Sequence, residues 1–191
     1  MALGLPLLGR AGEGGLEFGP TLKFQLPLGE YKSEVLDTQF GFGFGLRTHV
    51  QLHPSHALTA RIDYDSFIES KQIGQGPNYG IQITTQIHEV SLGLTYEWHY
   101  TGTRVGGYLL LGPVYRSWNE KKEYIYYLNA PGDPAPDNQT LTTTPSRLGL
   151  DLGWGFRSAT DTAVELHLIL SKYGDTDLTA NTLQLSVSQY W

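Results

Sequence analysis

Three polar side chains on one stretch of the chain have the types that acyl-transfer catalysis uses. Glu165, His167 and Ser171 share one parity of an alternating segment, so a strand would point them to the same face. His167 and Ser171 are four residues apart, roughly 13 Å along a strand, whereas a nucleophile and its base must lie about 3 Å apart. The set could act only if Ser186 or Ser188 approached from a neighbouring strand. We therefore predict no catalytic residues.

Potential metal ligands are equally sparse. His53 and His56 flank a Pro-Ser turn, and two ligands alone do not make a zinc site. Asp175 and Asp177 offer oxygen ligands, but the spacing around them lacks a complete calcium loop. The chain has no cysteine, which excludes thiolate metal centres, iron–sulfur clusters and cysteine nucleophiles. We predict neither a metal nor another cofactor.

The charge balance restricts the possible partners. Thirteen Lys and Arg residues against nineteen Asp and Glu residues give a net charge of -6, so binding to nucleic acid through bulk positive charge is not expected. Charged residues make up 17% of the chain, below the roughly 25% that is usual in soluble domains. Every apolar run is shorter than the roughly 18 to 20 residues of a membrane-spanning helix, so only strands could span a membrane.

The chain contains eight candidate strand segments, and in seven of them apolar and polar residues alternate, which is the pattern of a β-strand with two different faces. In the second segment, Phe40, Phe42 and Phe44 alternate with glycines. The fifth segment has apolar residues at both parities, so its facing is not determined. A change of apolar parity near Ile87 and His88 predicts a β-bulge. The predicted segments are 16–28, 39–52, 58–65, 89–100, 105–118, 147–157, 164–171 and 183–191.

The connections between these segments alternate in length. Three are tight turns, at 53–56, 101–104 and 158–161, and four are longer and polar, near 29–37, 70–86, 119–145 and 173–181. This alternation predicts an all-β, eight-stranded antiparallel up-and-down barrel, with the short turns at one end and the long loops at the other. We assign one barrel domain to residues 15–191. Residues 1–14, with their apolar run and small residues, are interpreted as a leader or signal-peptide remnant.

Both a soluble lipocalin-like barrel and a transmembrane barrel contain eight such strands. Segments of about ten residues, a polar face rich in glycine and aromatic residues near the segment ends favour the transmembrane form. The predicted aromatic girdles consist of Trp98, Tyr100, Trp118, Phe156, Tyr173 and Trp191.

In a transmembrane barrel, the polar face lines a narrow lumen. Charges there must pair and form hydrogen bonds, because an isolated buried charge is costly. We predict a lumen charge network of Lys23, Arg47, Arg61, Asp63, Glu89, Glu97, Arg147, Asp151, Arg157, Glu165 and His167.

The C-terminal residues have the most specific pattern in the sequence. Leu183, Leu185 and Val187 alternate with polar residues before the terminal aromatic Trp191, and 172–178 reads KYGDTDL. In these features, and in its eight-segment pattern over about residues 15 to 191, the chain resembles the bacterial outer-membrane β-barrel superfamily of OmpX, the OmpA membrane domain and the opacity-type adhesins. The resemblance implies periplasmic termini, contact with outer-membrane lipid and lipopolysaccharide, and a C-terminal assembly signal (Leu183, Leu185, Val187, Trp191) recognised by the barrel-assembly machinery.

The long connection 119–145 carries the main candidate for partner binding. Tyr124, Tyr126 and Tyr127 precede a proline-rich stretch, a composition that suits contact with an extracellular protein or glycan. We expect a structural or surface-interaction role, similar to adhesion, and no nucleic acid as a partner. The alternatives are a small channel, a soluble ligand-binding barrel, and a lipid A-modifying enzyme such as some eight-stranded outer-membrane barrels are.

Overall fold

The structure is a computed structural model that describes residues 15–36, 40–75, 79–128 and 137–191. Residues 1–14, interpreted above as a leader, and the proline-rich residues 129–136 lie outside the described residues. No helix in the described ranges is long and apolar enough to cross a bilayer. The elements are β1 (Leu16–Pro27), a π-helical turn (Tyr31–Leu36), β2 (Gly41–His53), β3 (His56–Phe67), β4 (Ser70–Gln75), β5 (Tyr79–His99), β6 (Gly106–Leu128), β7 (Gln139–Thr143), β8 (Ser146–Arg157), β9 (Thr162–Leu170) and β10 (Thr182–Gln189).

Eight of these strands close into a ring. The order around the ring is β1, β2, β3, β5, β6, β8, β9, β10 and back to β1, and every pair is antiparallel. At the closing seam, Leu22 pairs with Val187 and Phe24 with Leu185, so residues of the same apolar parity meet on the outside. The predicted eight-stranded antiparallel up-and-down barrel is confirmed.

Two of the four long connections are largely strand rather than loop. β5 has 21 residues and β6 has 23, and both continue beyond the ring, where β4 pairs with β5 and β7 with β6. We call this four-stranded extension (β4, residues 79–87, residues 119–128 and β7) the outer sheet. The expectation of irregular loops over 70–86 and 119–145 was wrong for these residues, because cross-strand pairs such as Ile83 with Tyr124 favour strand.

The predicted β-bulge in β5 is not present. Ile87 pairs with Glu120 and His88 with Asn119, and the register between β5 and β6 is the same before and after these two pairs. Ile87 is 2% exposed and points into the ring, so the apolar parity changes because one end of the interior is apolar. On the other side of β5, the register does shift by one residue, between the pair Ser66–His88 with β3 and the pair Ser70–Thr85 with β4.

The facing of β6, which the sequence left open, is set by its neighbours in the ring. Tyr108, Val114 and Trp118 are buried inside, whereas Leu109 and Leu111 are exposed on the outside. The inward side of β6 is therefore mostly apolar or aromatic, as its outward side is. For this reason the sequence of β6 does not alternate between polar and apolar residues.

The glycines of β2 make room for charge inside the ring. Gly43 pairs with Asp65 and Gly45 with Asp63, and a Cβ atom at either glycine would collide with the opposite carboxylate. Glycine at these positions therefore leaves the space that the two buried carboxylates occupy.

Candidate functional site

The outer wall of the ring is apolar. Leu22 is 72% exposed, Phe44 61% and Leu46 62%, and the outward side chains of the other ring strands are mostly apolar as well. Such a continuous apolar surface is unfavourable in water. The wall is therefore suited to lipid, with the polar side chains enclosed.

Aromatic residues lie on this wall at the short-turn end. Trp98, Tyr100, Phe156 and Trp191 are all about half exposed and point outward. Tyr100 also accepts a hydrogen bond at 3.1 Å from the indole N–H of Trp154. Amphipathic rings at this height suit the boundary between hydrocarbon and head groups.

The other two residues predicted for the girdles lie inside the ring, so that part of the prediction was wrong. Trp118 and Tyr173 are 1% and 7% exposed, and their ring centroids are 5.0 Å apart. Trp118 has the inward parity of β6, and Tyr173 folds over the open end from the segment after β9. The outward aromatic residues at that end include Tyr64 and Tyr115; the Tyr64 hydroxyl lies 3.0 Å from His88 Nδ1.

Charged side chains fill the middle of the ring in a connected series. Arg47 is in ionic contact with Glu165, and His167 places Nε2 3.1 Å from Glu165 and Nδ1 3.0 Å from Asp151. Asp151 in turn lies 2.7 Å from Arg61. All five side chains are buried, and each charge has an opposite charge beside it, as burial requires.

Two further groups extend this series. Lys23 lies between two carboxylates, 3.1 Å from Asp63 and 2.7 Å from Asp65. Towards the short-turn end, Arg157 lies 2.6 Å from Glu17. The interior is thus occupied by ion pairs contributed by strands on opposite sides of the ring.

Arg116 is a buried cation that is absent from the predicted lumen network, because the sequence does not determine the facing of β6. Its Nε and Nη2 atoms donate to the two carboxylate oxygens of Glu89, each at 2.7 Å. Its Nη1 atom donates to the Ser171 hydroxyl at 2.8 Å and also to the Ala180 carbonyl. Arg116 thereby ties β5 and β6 to the segment that follows β9.

Arg147 was assigned to the lumen network, and the structure places it at the rim instead. Its side chain is 45% exposed and lies 3.0 Å from Asp175. In the register of β6 and β8, Arg147 is directly opposite Arg116. Like charges in opposite positions repel, so Arg147 pairs outward, where water also solvates it.

An apolar cluster closes the long-loop end of the ring, and we call it the plug. Tyr31 reaches it from the π-helical turn, and Tyr173 from the segment between β9 and β10. The guanidinium of Arg116 lies beneath, 5.4 Å from the Tyr31 ring and 4.8 Å from the Trp118 ring. The buried members are Tyr31, Phe67, Ile87, Trp118, Tyr173 and Ala180, with Leu178 packed against them.

The two connections that supply the plug are joined to each other at the surface. Glu30 accepts hydrogen bonds from the amide and the hydroxyl of Thr179, at 2.8 Å and 2.9 Å. These bonds favour the charged carboxylate and hold the pKa of Glu30 below its usual value. Lys172 similarly lowers the pKa of Asp177, which it contacts at 2.8 Å.

The outer sheet ends in two open edges. Within the described residues, β4 pairs with β5 alone and β7 with β6 alone. Each edge strand exposes a large apolar side chain, Ile73 at 71% and Leu141 at 53%. Unpaired backbone groups at such an edge are available to another extended chain.

The cations of the outer sheet, in contrast, are already paired. Each of its three lysines lies close to a carboxylate of the same part of the molecule. These pairs are Lys71 with Glu69 at 3.2 Å, Lys121 with Glu123 at 2.6 Å and Lys122 with Glu120 at 2.7 Å.

No family model and no curated protein match the sequence. Among solved structures, Ail, the attachment invasion locus protein of Yersinia pestis, was determined in complex with the heparin analogue sucrose octasulfate. It matches with a TM-score of 0.54 and 12% identity, over 95% of this chain and 100% of Ail. The fold is that of the eight-stranded outer-membrane β-barrels.

Two other outer-membrane barrels are similar at lower scores. The N-terminal barrel domain of Pseudomonas aeruginosa OprF has a TM-score of 0.46 and 12% identity, covering 92% of this chain and 97% of that domain. Neisserial surface protein A has a TM-score of 0.47 and 11% identity, covering 91% of this chain and 94% of its own. The fold assignment rests on the match to Ail and on the closed ring itself.

The C-terminal residues lie along the seam. Leu185, Val187 and Trp191 are exposed on the wall, and Leu183 is half-buried there. Trp191 exchanges two backbone hydrogen bonds with Phe18, at 3.0 Å and 3.2 Å. The last residue therefore completes the pairing that closes the barrel.

The residues considered for catalysis do not form a nucleophile–base pair inside the ring. Both ring nitrogens of His167 face carboxylates, Ser171 is bound by Arg116, and Ser186 donates to Glu165 at 3.1 Å. His167 therefore has neither serine as a hydrogen-bonded nucleophile. In the described part of the chain, no group of three or more His, Cys, Asp or Glu side chains could hold a metal ion.

Proposed function

We propose that this outer-membrane barrel presents the outer sheet outside the cell as a docking surface for extended segments of other proteins. The observation that carries the proposal is the pair of open edge strands, β4 and β7, held beyond the ring. A polypeptide that adds a strand at such an edge gains main-chain hydrogen bonds, and side chains such as Ile73 and Leu141 supply apolar contact.

The two ends of the ring support one orientation of the barrel in the membrane. β1 begins and β10 ends at the short-turn end, and short turns face the periplasm in outer-membrane barrels. We therefore propose periplasmic termini, with the plug and outer sheet on the extracellular side. The wall then contacts outer-membrane lipid and lipopolysaccharide, and the residues from Leu183 to Trp191 are read by the barrel-assembly machinery.

A polypeptide partner fits the outer sheet better than a sulfated glycan does. Ail was solved with a heparin analogue, and recognition of sulfate groups calls for unpaired cations. In this chain, the lysines of the outer sheet lie against carboxylates. The carboxylates therefore already neutralise much of the positive charge that a sulfated glycan would need.

Adhesion of cells that express the barrel tests this proposal. The probes are an array of extracellular-matrix proteins and, separately, immobilised heparin. Ile73→Lys and Leu141→Lys place on each edge the residue that natural edge strands use to prevent strand addition. We expect the wild type to bind one or more of the proteins, and each variant to reduce that binding at least tenfold.

Thr103→Lys, in an exposed turn at the opposite end, is the matched control and should bind as the wild type does. Migration of unboiled samples in SDS electrophoresis shows that every variant forms the barrel. Undiminished binding by both edge variants would contradict docking at the edges. Binding to heparin alone would replace the polypeptide partner with a glycan.

A further inference from the structure

A groove runs along the outside of β6 near the short-turn end of the ring. In the register of the wall, Leu109 lies between Trp98 of β5 and Trp154 of β8. Leu111, the next outward residue, lies opposite Tyr96 of β5. Because larger aromatic side chains flank these leucines, the outside of β6 forms the floor of a groove of about 590 Å³, and sites for small molecules have volumes of about 300–1,000 Å³. The lining includes His56, Tyr96, Trp98, Leu109, Leu111 and Leu152.

Two aromatic side chains close this groove at the short-turn end. The indole N–H of Trp154 donates to the Tyr100 hydroxyl across β6, at 3.1 Å. Tyr100 lies directly on the β6 backbone, since a Cβ atom at Gly107 would collide with its hydroxyl oxygen. In the other direction, the next outward residue of β6 is Pro113, whose ring is smaller than a leucine side chain. An elongated molecule in the groove would therefore extend from the short-turn end towards the middle of the wall.

Hydrogen-bonding groups lie at the edge of this apolar groove. His56 of β3 is held against Tyr96, because the Tyr96 hydroxyl lies 2.6 Å from His56 Nδ1 and the two rings are stacked, with centroids 5.7 Å apart. The second ring nitrogen of His56 and the indole N–H of the half-exposed Trp98 can serve a ligand. The groove thus combines an apolar floor with polar groups at the height of the aromatic girdle, a combination that fits an amphiphile.

We propose that the groove binds one phospholipid of the periplasmic leaflet, with an acyl chain along Leu109 and Leu111 and the head group at His56 and Trp98. The groove is part of the lipid-facing wall, so an acyl chain enters it without leaving hydrocarbon. A chain in the groove contacts side chains on more than one side and gains more dispersion contacts than a chain on a flat wall. The lipid class rests on the orientation proposed above, since lipopolysaccharide occupies the other leaflet of outer membranes.

Native mass spectrometry tests the groove, because it counts the lipids that remain on a folded barrel. After incubation in detergent with phosphatidylethanolamine and phosphatidylglycerol, the wild type should retain one phospholipid. Leu111→Trp fills the groove and should weaken retention about tenfold, the effect of losing contact with about two methylene groups. Leu148→Trp, the same substitution on the wall outside the groove, should retain lipid as the wild type does. A wild type without bound lipid, or equal retention by the two variants, would overturn the proposal.

Two matched histidine variants test the position of the head group. His56→Ala removes a polar group from the edge of the groove and should weaken retention of the phospholipid about fivefold, the effect of one hydrogen bond. His88→Ala removes the corresponding ring at the long-loop end, where His88 Nδ1 lies 3.0 Å from the Tyr64 hydroxyl, and should leave retention unchanged. Equal retention by these two variants would overturn the placement of the head group at His56.

Photo-crosslinking in whole cells identifies the leaflet in which the groove lies. With a benzophenone amino acid in place of Leu111, we expect an adduct with phospholipid. An adduct with lipopolysaccharide would overturn the assignment to the periplasmic leaflet and the orientation proposed above, even if the purified barrel retains lipid in the groove. Failure of retention alone would overturn the groove as a lipid site and leave both the orientation and the docking edges of the outer sheet standing.

Discussion

Arg116 holds together three parts of the molecule at the residue scale. It binds both carboxylate oxygens of Glu89, the Ser171 hydroxyl and the Ala180 carbonyl, and it lies under the plug. Removing one partner of a buried ion pair leaves the other charge uncompensated. We expect Arg116→Leu to lower the free energy of unfolding by about 3–5 kcal/mol, measured by urea titration in lipid vesicles.

Arg147→Leu is the matched control for that substitution. Arg147 is opposite Arg116 in the register, but its contact with Asp175 is exposed. Exposed pairs contribute about 0–1 kcal/mol, so the control should stay close to the wild type. Equal decreases in the free energy of unfolding for the two variants would show that Arg116 stabilises the fold no more than a surface charge does.

The contact between Glu30 and Thr179, which joins the two connections that supply the plug, depends on pH. Its pKa is lowered in the folded protein by the hydrogen bonds from Thr179. The stabilisation is therefore present above the unfolded value, about pH 4.3, and is lost as the pH falls through the lower folded value. We expect the protection of the Thr179 amide hydrogen, measured as its exchange rate relative to the intrinsic rate at the same pH, to decrease over that acid range.

Glu30→Gln removes the charge that titrates. In this variant, the Thr179 amide should exchange faster already at neutral pH, and the acid-dependent step should disappear. An amide whose protection is the same in the wild type and in Glu30→Gln would show that this contact does not hold the two connections together.

At the scale of the element, the alternation along each strand decides which side chains meet lipid. Leu46 is an outward residue in the middle of β2, and Leu52 has the same parity near its end. Arginine on the lipid face costs about 2–4 kcal/mol at mid-membrane and 0–1 kcal/mol near the interface. We expect Leu46→Arg to reduce the free energy of folding into bilayers by the larger amount and Leu52→Arg by the smaller.

Equal costs for the two leucine variants would contradict the assignment of the wall to lipid. The comparison uses the same substitution on the same strand and face, so side-chain size and strand propensity cancel. Only depth in the bilayer differs between the two positions.

The last strand supports a separate prediction about assembly. Trp191 ends the seam and anchors it through backbone hydrogen bonds to Phe18. Deletion of Trp191 should lower the amount of protease-resistant barrel in the outer membrane without changing synthesis. Refolding into detergent should suffer less, because only the anchoring operates there; cells that assemble the truncated chain normally would refute the assembly role.

For the whole molecule, the filled interior governs transport. The plug closes one end, and buried ion pairs occupy the middle of the ring. An eight-stranded barrel is just wide enough for its side chains, so a continuous water column is not expected. Planar-bilayer recordings should show no steady, porin-like conductance, and reproducible large currents would support a channel instead.

The alternation of apolar and polar residues was sufficient to predict the ring. Period two in seven segments, together with the alternating lengths of the connections, predicted the strand number, the antiparallel order and the outward parity, because such strands of a closed barrel have one apolar and one polar side. The charged residues of the polar parity could be identified for the same reason. Arg147 was misplaced, since parity does not show how far a residue lies from the rim.

Tertiary structure decided what alternation does not encode. β6 is apolar on both sides, so only its pairing shows that Trp118 and Arg116 point inward. The plug takes residues from distant connections, and no local pattern links Tyr31 with Tyr173. The contacts of Arg116 likewise depend on Glu89 of β5 and on the segment after β9, because the partners of a buried charge are set by the surrounding fold and not by its neighbours in sequence.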